Sequence, residues 1–256
     1  MRESPHGANA CCAAQCACKK ASLCDSVRPM SRSQTAYSQD ELRERREKAL
    51  QLVQKEGLPD IIARCRKGND AEKEEAAAKL SFLAQHDTQC ASTIVSIGGV
   101  PPLVEMMMMG QGRGDTDGTL DMREQAVKTI SDLCEGDKSN TRPIAERGAI
   151  PPLLRILEEP SSPWSIKDAA TYALSLLAKE VAGGPAQEDI TDNDGVNKLV
   201  ACYKSTGCTP ESKAAIKHCL RQLTVYNPAK KQMMALGILK PRERDAASDD
   251  PFAGLD

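Results

Sequence analysis

The stretch Gly148–Lys179, GAIPPLLRILEEPSSPWSIKDAATYALSLLAK, decides the fold. Ile150, Leu153, Leu154 and Leu157 recur at helical spacing in its first part, and Ala170, Leu174 and Leu177 in its second. The Pro/Ser tract between them reads as a turn. Neither amphipathic helix can bury its apolar face alone. The same unit returns along the chain, so the faces can bury against one another.

The openings of the first helices align on Leu58, Val100, Ile150 and Val196, with a vestigial fifth copy from Ile238. Successive starts lie 42, 50, 46 and 42 residues apart, and the segments read GLPDII, GVPPLV, AIPPLL and GVNKLV. The second helices align separately on Leu83, Leu133, Leu177 and Leu223, with Leu80, Ile130, Leu174 and Leu220 one turn earlier. Two independent anchors give one period. A period near 42 with two to three helices per unit predicts a helical solenoid.

G-A-I-P-P-L-L followed by A-A-T-Y-A-L-S-L-L-A resembles the armadillo repeat, with the HEAT repeat as near neighbour. The G-x-(I/V)-P-P-L opening favours armadillo. The resemblance spans Gly57 to Gly237 and is strongest in Gly98–Lys179. It implies an all-α, right-handed α-α superhelix in which each unit carries one short helix and two longer ones. Four repeats and the vestigial fifth are expected over 57–239. Disordered tails are expected at 1–37 and 240–256, and a capping helix over 38–56.

Composition agrees with stacked helices. Aromatic residues make up only 3%, and the formal net charge of −2 gives no global field toward nucleic acid or an anionic membrane. The basic run RERR in 38–56 is balanced by neighbouring glutamates. Ser38 and Glu41 form a capping box there, and Leu42, Ala49 and Val53 a narrow apolar stripe. No run approaches the roughly 18 apolar residues of a membrane span, and no apolar region follows a basic start. Neither an integral span nor a secretory signal is expected.

There are eleven cysteines. Cys65, Cys90, Cys134, Cys202 and Cys219 fall at or near helical core positions, where a thiol serves as a small hydrophobe. Cys208 stands in a turn. Cys11, Cys12, Cys16, Cys18 and Cys24 crowd the N-terminal tail. Against the reading of a plain disordered tail stand a soft-metal site, S-palmitoylation at Cys11 and Cys12, and a basic, Ala/Ser-rich transit peptide. No second CxxC or histidine pair stands at zinc-finger spacing. The expected compartment is cytoplasmic or nuclear, and organellar if the tail is a transit peptide.

Elsewhere, Asn69 or Asp70 is expected to cap a helix, and Ser162-Pro163 and Thr209-Pro210 to open two more. Met106–Met109 aligns in part with core positions Ile156 and Leu157. The tract GQGRGDTDG, 110–118, lacks the strand and G-K-[ST] of a phosphate loop. It also lacks the glycine and glutamate of a calcium loop, and reads as a surface loop. In the polar C-terminal tail, Asp250-Pro251-Phe252 resembles the DPF tripeptide of clathrin-adaptor ligands.

The three histidines, His6, His86 and His218, lie far apart in the chain, and no catalytic motif accompanies them. No enzyme, metal or cofactor is expected; a protein-binding scaffold is. In the resembled family the last helix of each unit lines a concave groove, with Trp forming pockets and Asn bonding a peptide backbone. The matching Trp slots hold Ala78, Lys128, Tyr172 and His218, and the Asn slots Phe82, Asp132, Leu176 and Gln222. A periodic backbone clamp is therefore absent. One turn earlier stand Glu74, Glu124, Asp168 and Ala214. Three carboxylates in register favour a basic partner segment, and Phe82, Tyr172 and Leu176 offer a seat for large apolar anchors. The alternative reading is a membrane-associated trafficking adaptor held peripherally through Cys11 and Cys12.

Overall fold

The computed structural model describes residues 38–109, 117–179 and 183–239. The N-terminal cysteines, most of the 110–118 tract and the DPF tripeptide lie outside them. All regular structure in the described residues is helical. The chain opens with α1 (Gln39–Glu56). Two helices follow, α2 (Leu58–Lys67) and α3 (Asp70–His86). Three units of three then run in order: α4 (Thr88–Ser96), α5 (Val100–Met108), α6 (Asp117–Gly136); α7 (Thr141–Glu146), α8 (Ile150–Glu158), α9 (Trp164–Leu177); α10 (Pro185–Asp192), α11 (Gly195–Lys204), α12 (Pro210–Leu223). A single 3-10 turn, Lys138–Asn140, precedes α7, and α13 (Asn227–Ala235) begins one more unit.

The apolar stripes explain the stacking. Ile150, Leu153, Leu154 and Leu157 are all buried in α8, and Ala170, Leu174 and Leu177 in α9. Each of these leucines and isoleucines contributes roughly 1.5–3 kcal/mol on burial, and Ala170 less. The last helices of the units pack side by side in the order α3, α6, α9, α12, and α8 packs between α5 and α11. One continuous core runs from Ala49 of α1 to Leu239. Met106 and Met107 are fully buried, as their alignment with Ile156 and Leu157 requires.

The helix starts follow local chemistry. Ser38 accepts from the Glu41 amide at 3.3 Å while Glu41 accepts from the Ser38 amide at 2.7 Å, closing the expected capping box. Asn69, rather than Asp70, caps α3 in the same reciprocal way with Glu72. Thr209 caps α12. Ser162 does not cap α9. The N-cap position is Pro163, and the Ser162 hydroxyl donates instead to Glu159 at 2.7 Å.

A third repeat marker lies in the backbone. The turn between the first and second helix of a unit passes through one left-handed residue: Gly98, Gly148, Asp194 and Gly237. After α4, the Gly99 amide then reaches back to Ile94 O at 2.8 Å, as in a Schellman closure. Asp194 is the one non-glycine residue with positive φ among the described residues. This marker also corrects the register of the last copy. Gly237 matches Gly148, so Leu239, and not Ile238, is the equivalent of Ile150.

Only φ is at stake at Gly148, since nothing lies within 4 Å of where a Cβ would stand. Gly148→Ala is expected to lower stability by about 1 kcal/mol, and Asp194→Gly to leave it unchanged or slightly raised. Urea unfolding of both variants checks the pair.

Candidate functional site

The ladder α3, α6, α9, α12 carries every groove residue expected from the sequence. The structure sorts them into three groups. Lys128 is exposed. Glu74, Phe82, Glu124, Asp168, His218 and Gln222 are half-buried. Asp132, Tyr172 and Leu176 are only 3%, 7% and 8% exposed. An open apolar seat on Tyr172 and Leu176 is therefore corrected: both sit between helices, and a partner could reach only their edges.

Long-range polar contacts explain the burial. Asp132 of α6 accepts from Ser81 Oγ at 2.5 Å and Gln85 Nε2 at 2.8 Å, both on α3. The Tyr172 hydroxyl of α9 donates to Glu135 Oε1 of α6. Thr129 of α6 donates to the Ala77 carbonyl of α3 at 3.0 Å, and Cys219 of α12 to the Leu174 carbonyl of α9 at 3.7 Å. These groups hold adjacent units in register. Buried polar groups demand such partners, because leaving one unmade costs about 1–3 kcal/mol.

The acidic row is partly engaged in the same way. Glu124 accepts from Ser165 Oγ at 2.7 Å. Asp168 accepts from Thr209 Oγ1 at 3.0 Å and from the Ser212 hydroxyl. All three donors are uncharged hydroxyls, so none of these contacts is an ion pair. Ser165, Ser212, Gln85 and Glu135 were not foreseen from the sequence. Each acts across a unit boundary, at separations the helical period alone does not assign.

The two ends of the ladder differ in their polar contacts. On α3, Phe82 packs edge-on against His86 with ring centroids 4.6 Å apart. Beside α3, Glu56 of α1 takes Lys79 at 2.8 Å and also Arg64. The hydrogen bonds from Lys79, then Arg64, hold the Glu56 carboxyl below its ordinary range. At the other end, burial first, then the charges of Lys179 and Arg221, hold the His218 imidazole below its ordinary range. Its Nδ1 is buried with no hydrogen-bond partner, and its Nε2 lies 3.4 Å from Gln222 Nε2.

A separate open cleft of about 580 Å³ is lined by Glu56, Asp60, Arg64, Lys67 and Glu72. It holds neither a thiol nor an imidazole. Among the described residues no three His, Cys, Asp or Glu side chains converge as metal ligands. No single described helix is long and apolar enough to cross a membrane.

No protein-family model matches the sequence, and no curated protein does. Solved structures do match the fold. A designed armadillo repeat protein in complex with the peptide (KR)4 superposes with a TM-score of 0.63 at 16% identity, covering 78% of this chain and 81% of its own. Computationally designed armadillo repeat proteins for modular peptide recognition give 0.62 at 17% identity, covering 79% and 84%. An engineered protein from a structural genomics consortium gives 0.63 at 20% identity, covering 77% and 78%. With its apolar period, its left-handed joints and these superpositions, the chain has an armadillo-like repeat fold.

Proposed function

We propose that this chain is a non-enzymatic scaffold that binds a partner protein segment along the face of α3, α6, α9 and α12. The observation that carries the reading is the acidic row Glu74, Glu124 and Asp168, one residue per unit at the same turn of successive ladder helices. Such a row favours a basic segment. The half-buried Phe82 supplies an apolar contact near its N-terminal end. The row stops at Ala214, where Lys179 and Arg221 surround His218. The basic part of the partner therefore belongs over α3 to α9, and a neutral or acidic part over α12. Support from comparison is that a protein of this fold takes the peptide (KR)4.

A fluorescent peptide of alternating Lys and Arg with one Leu serves as probe. Glu74→Gln combined with Phe82→Ala is expected to weaken its binding roughly tenfold, a loss near 1.4 kcal/mol. Affinity should also fall with added salt. Tyr172 and Leu176 are unsuitable for this test because truncating them opens the core. Unchanged affinity in a variant of unchanged helicity rejects the site.

A further inference from the structure

Neighbouring ladder helices meet through two columns of short side chains. One column holds Ala77, Val127 and Thr171, and the other Ser81, Ser131 and Ser175. All six are at most 4% exposed. Each column looks toward the next ladder helix. The Thr171 hydroxyl of α9 lies 3.1 Å from Ser212 Oγ of α12, and Ser81 of α3 donates to Asp132 of α6. On α12 the same two positions are Lys217, half-buried, and Arg221, exposed. They lie on the side of α12 turned away from α9. No ladder helix follows α12 among the described residues.

The rest of this end is cationic as well. Lys213 and Lys217, one turn apart, place their ammonium groups 5.3 and 5.5 Å from the centre of the Tyr203 ring on α11. Attraction to the ring holds both at this edge of the fold. Lys230 and Lys231 stand exposed on α13. From Pro210 to Ala235 there are five Lys and Arg residues against one carboxylate, Glu211. The helix that closes the opposite end is balanced: α1 carries five cations and five carboxylates. A solvated cap needs polarity, but it does not need a single sign.

An apolar contact accompanies the cations. Met234 stands three residues before the left-handed Gly237, the position of Val95, Ala145 and Thr191 in the earlier units. Those three are 1% to 4% exposed, whereas Met234 is 42% exposed. In a complete unit α7 packs against its own ladder helix, α9. Its equivalent, α13, therefore borders the place that a ladder helix beyond α12 takes.

We propose that this end of the solenoid docks an acidic helical segment of a partner protein, laid along α12 in the place of a fifth ladder helix. Carboxylates at every fourth residue of that segment face Lys213, Lys217 and Arg221, which climb α12 at the same interval. An apolar side chain of the segment covers Met234. Helix beside helix is already how α3, α6, α9 and α12 pack. The surface lies apart from the acidic row of the groove and has the opposite sign. It stands whether or not that row binds a basic segment.

The test uses the full chain and a fluorescent alanine-based helical peptide of about 15 residues, with Glu at every fourth position and one Leu. Lys217→Glu combined with Arg221→Glu is expected to weaken binding at least about tenfold, with helicity unchanged. The same peptide with Gln in place of Glu should bind the unaltered chain about tenfold more weakly as well. Carbodiimide, which joins amines to carboxylates, should couple the Glu peptide to Lys213 or Lys217. Equal affinity for the Glu and Gln peptides overturns the proposal, as does unchanged affinity in the folded double variant. So does coupling of these lysines to Asp245, Asp249 or Asp250 of the chain itself in place of the peptide. Binding to phosphatidylserine–phosphatidylcholine vesicles with none to the peptide overturns it in favour of a membrane surface.

Discussion

Arg123→Ala should lower the unfolding free energy by about 3–5 kcal/mol. Arg123 lies on α6 with no exposed surface. Its Nη2 donates to Glu159 Oε2 at 2.6 Å, and its Nε to the Met107 carbonyl at 3.3 Å. It thereby joins the end of α5 to the turn between α8 and α9. Burial pushes the Glu159 carboxyl upward, but the hydrogen bonds from Arg123 and Ser162 outweigh it and leave the group below its ordinary range. Removing the guanidinium strands a poorly solvated carboxylate and a carbonyl. That is why the loss exceeds the value of an exposed pair, about 0–1 kcal/mol. The double variant Arg123→Met with Glu159→Gln should recover much of the loss, because the stranded charge is gone. Urea unfolding of Arg123→Met, Glu159→Gln and the double closes the cycle. A single-variant loss below about 1 kcal/mol would contradict this account. The sign with pH follows. A carboxyl held low in the fold contributes stability above its unfolded value, and that contribution disappears as pH falls through the folded one.

The second large effect is loss of stability in alkali. Cys65 and Cys219 are buried, and desolvation pushes each thiol up to about 12; Cys134 is driven higher still, by burial first and then by Glu135 and Asp132. The unfolded chain ionises these thiols above their ordinary value of 9.0, while the folded chain keeps them protonated. The fold thus binds more protons, and stability must fall as pH rises from about 9 toward 12. One unit above the ordinary value, each thiol costs about 1.4 kcal/mol, so the three together cost about 4 kcal/mol at pH 10. Urea midpoints at pH 8 and pH 10, with reductant present, read this directly. Alanine at all three positions should flatten most of the slope. Alanine already occupies the slot of Cys134 in two other units, at Ala84 and Ala178. Equal slopes in the two proteins would place the alkaline loss elsewhere.

Much of the fold was legible because burial acts on periodic sequence. Leu80, Ile130, Leu174 and Leu220 share one slot, and all four are fully buried. Capping was legible for an equally local reason, since Ser38 and Glu41 meet within one turn. The register of the last unit was not, because Ile238 and Leu239 are both apolar and only the left-handed Gly237 distinguishes them. The candidate site was legible as a set of positions and not as a surface. Tyr172 reads as an available aromatic until Glu135, on the preceding ladder helix, claims its hydroxyl. Asp132 reads as groove acidity until Ser81 and Gln85 enclose it. Both pairings join residues 37 to 51 apart in the chain, a separation at which residue type says nothing about contact.

The left-handed joints at Gly98, Gly148, Asp194 and Gly237 also mark where the molecule can be recut. Deleting 149–194 fuses Gly148 directly to Gly195, and the splice inherits a twist the backbone already tolerates there. Shortening or lengthening this protein at such seams leaves every helix whole. A ladder of truncates would then weigh each junction between neighbours separately, much as links are weighed by removing them from a chain one at a time.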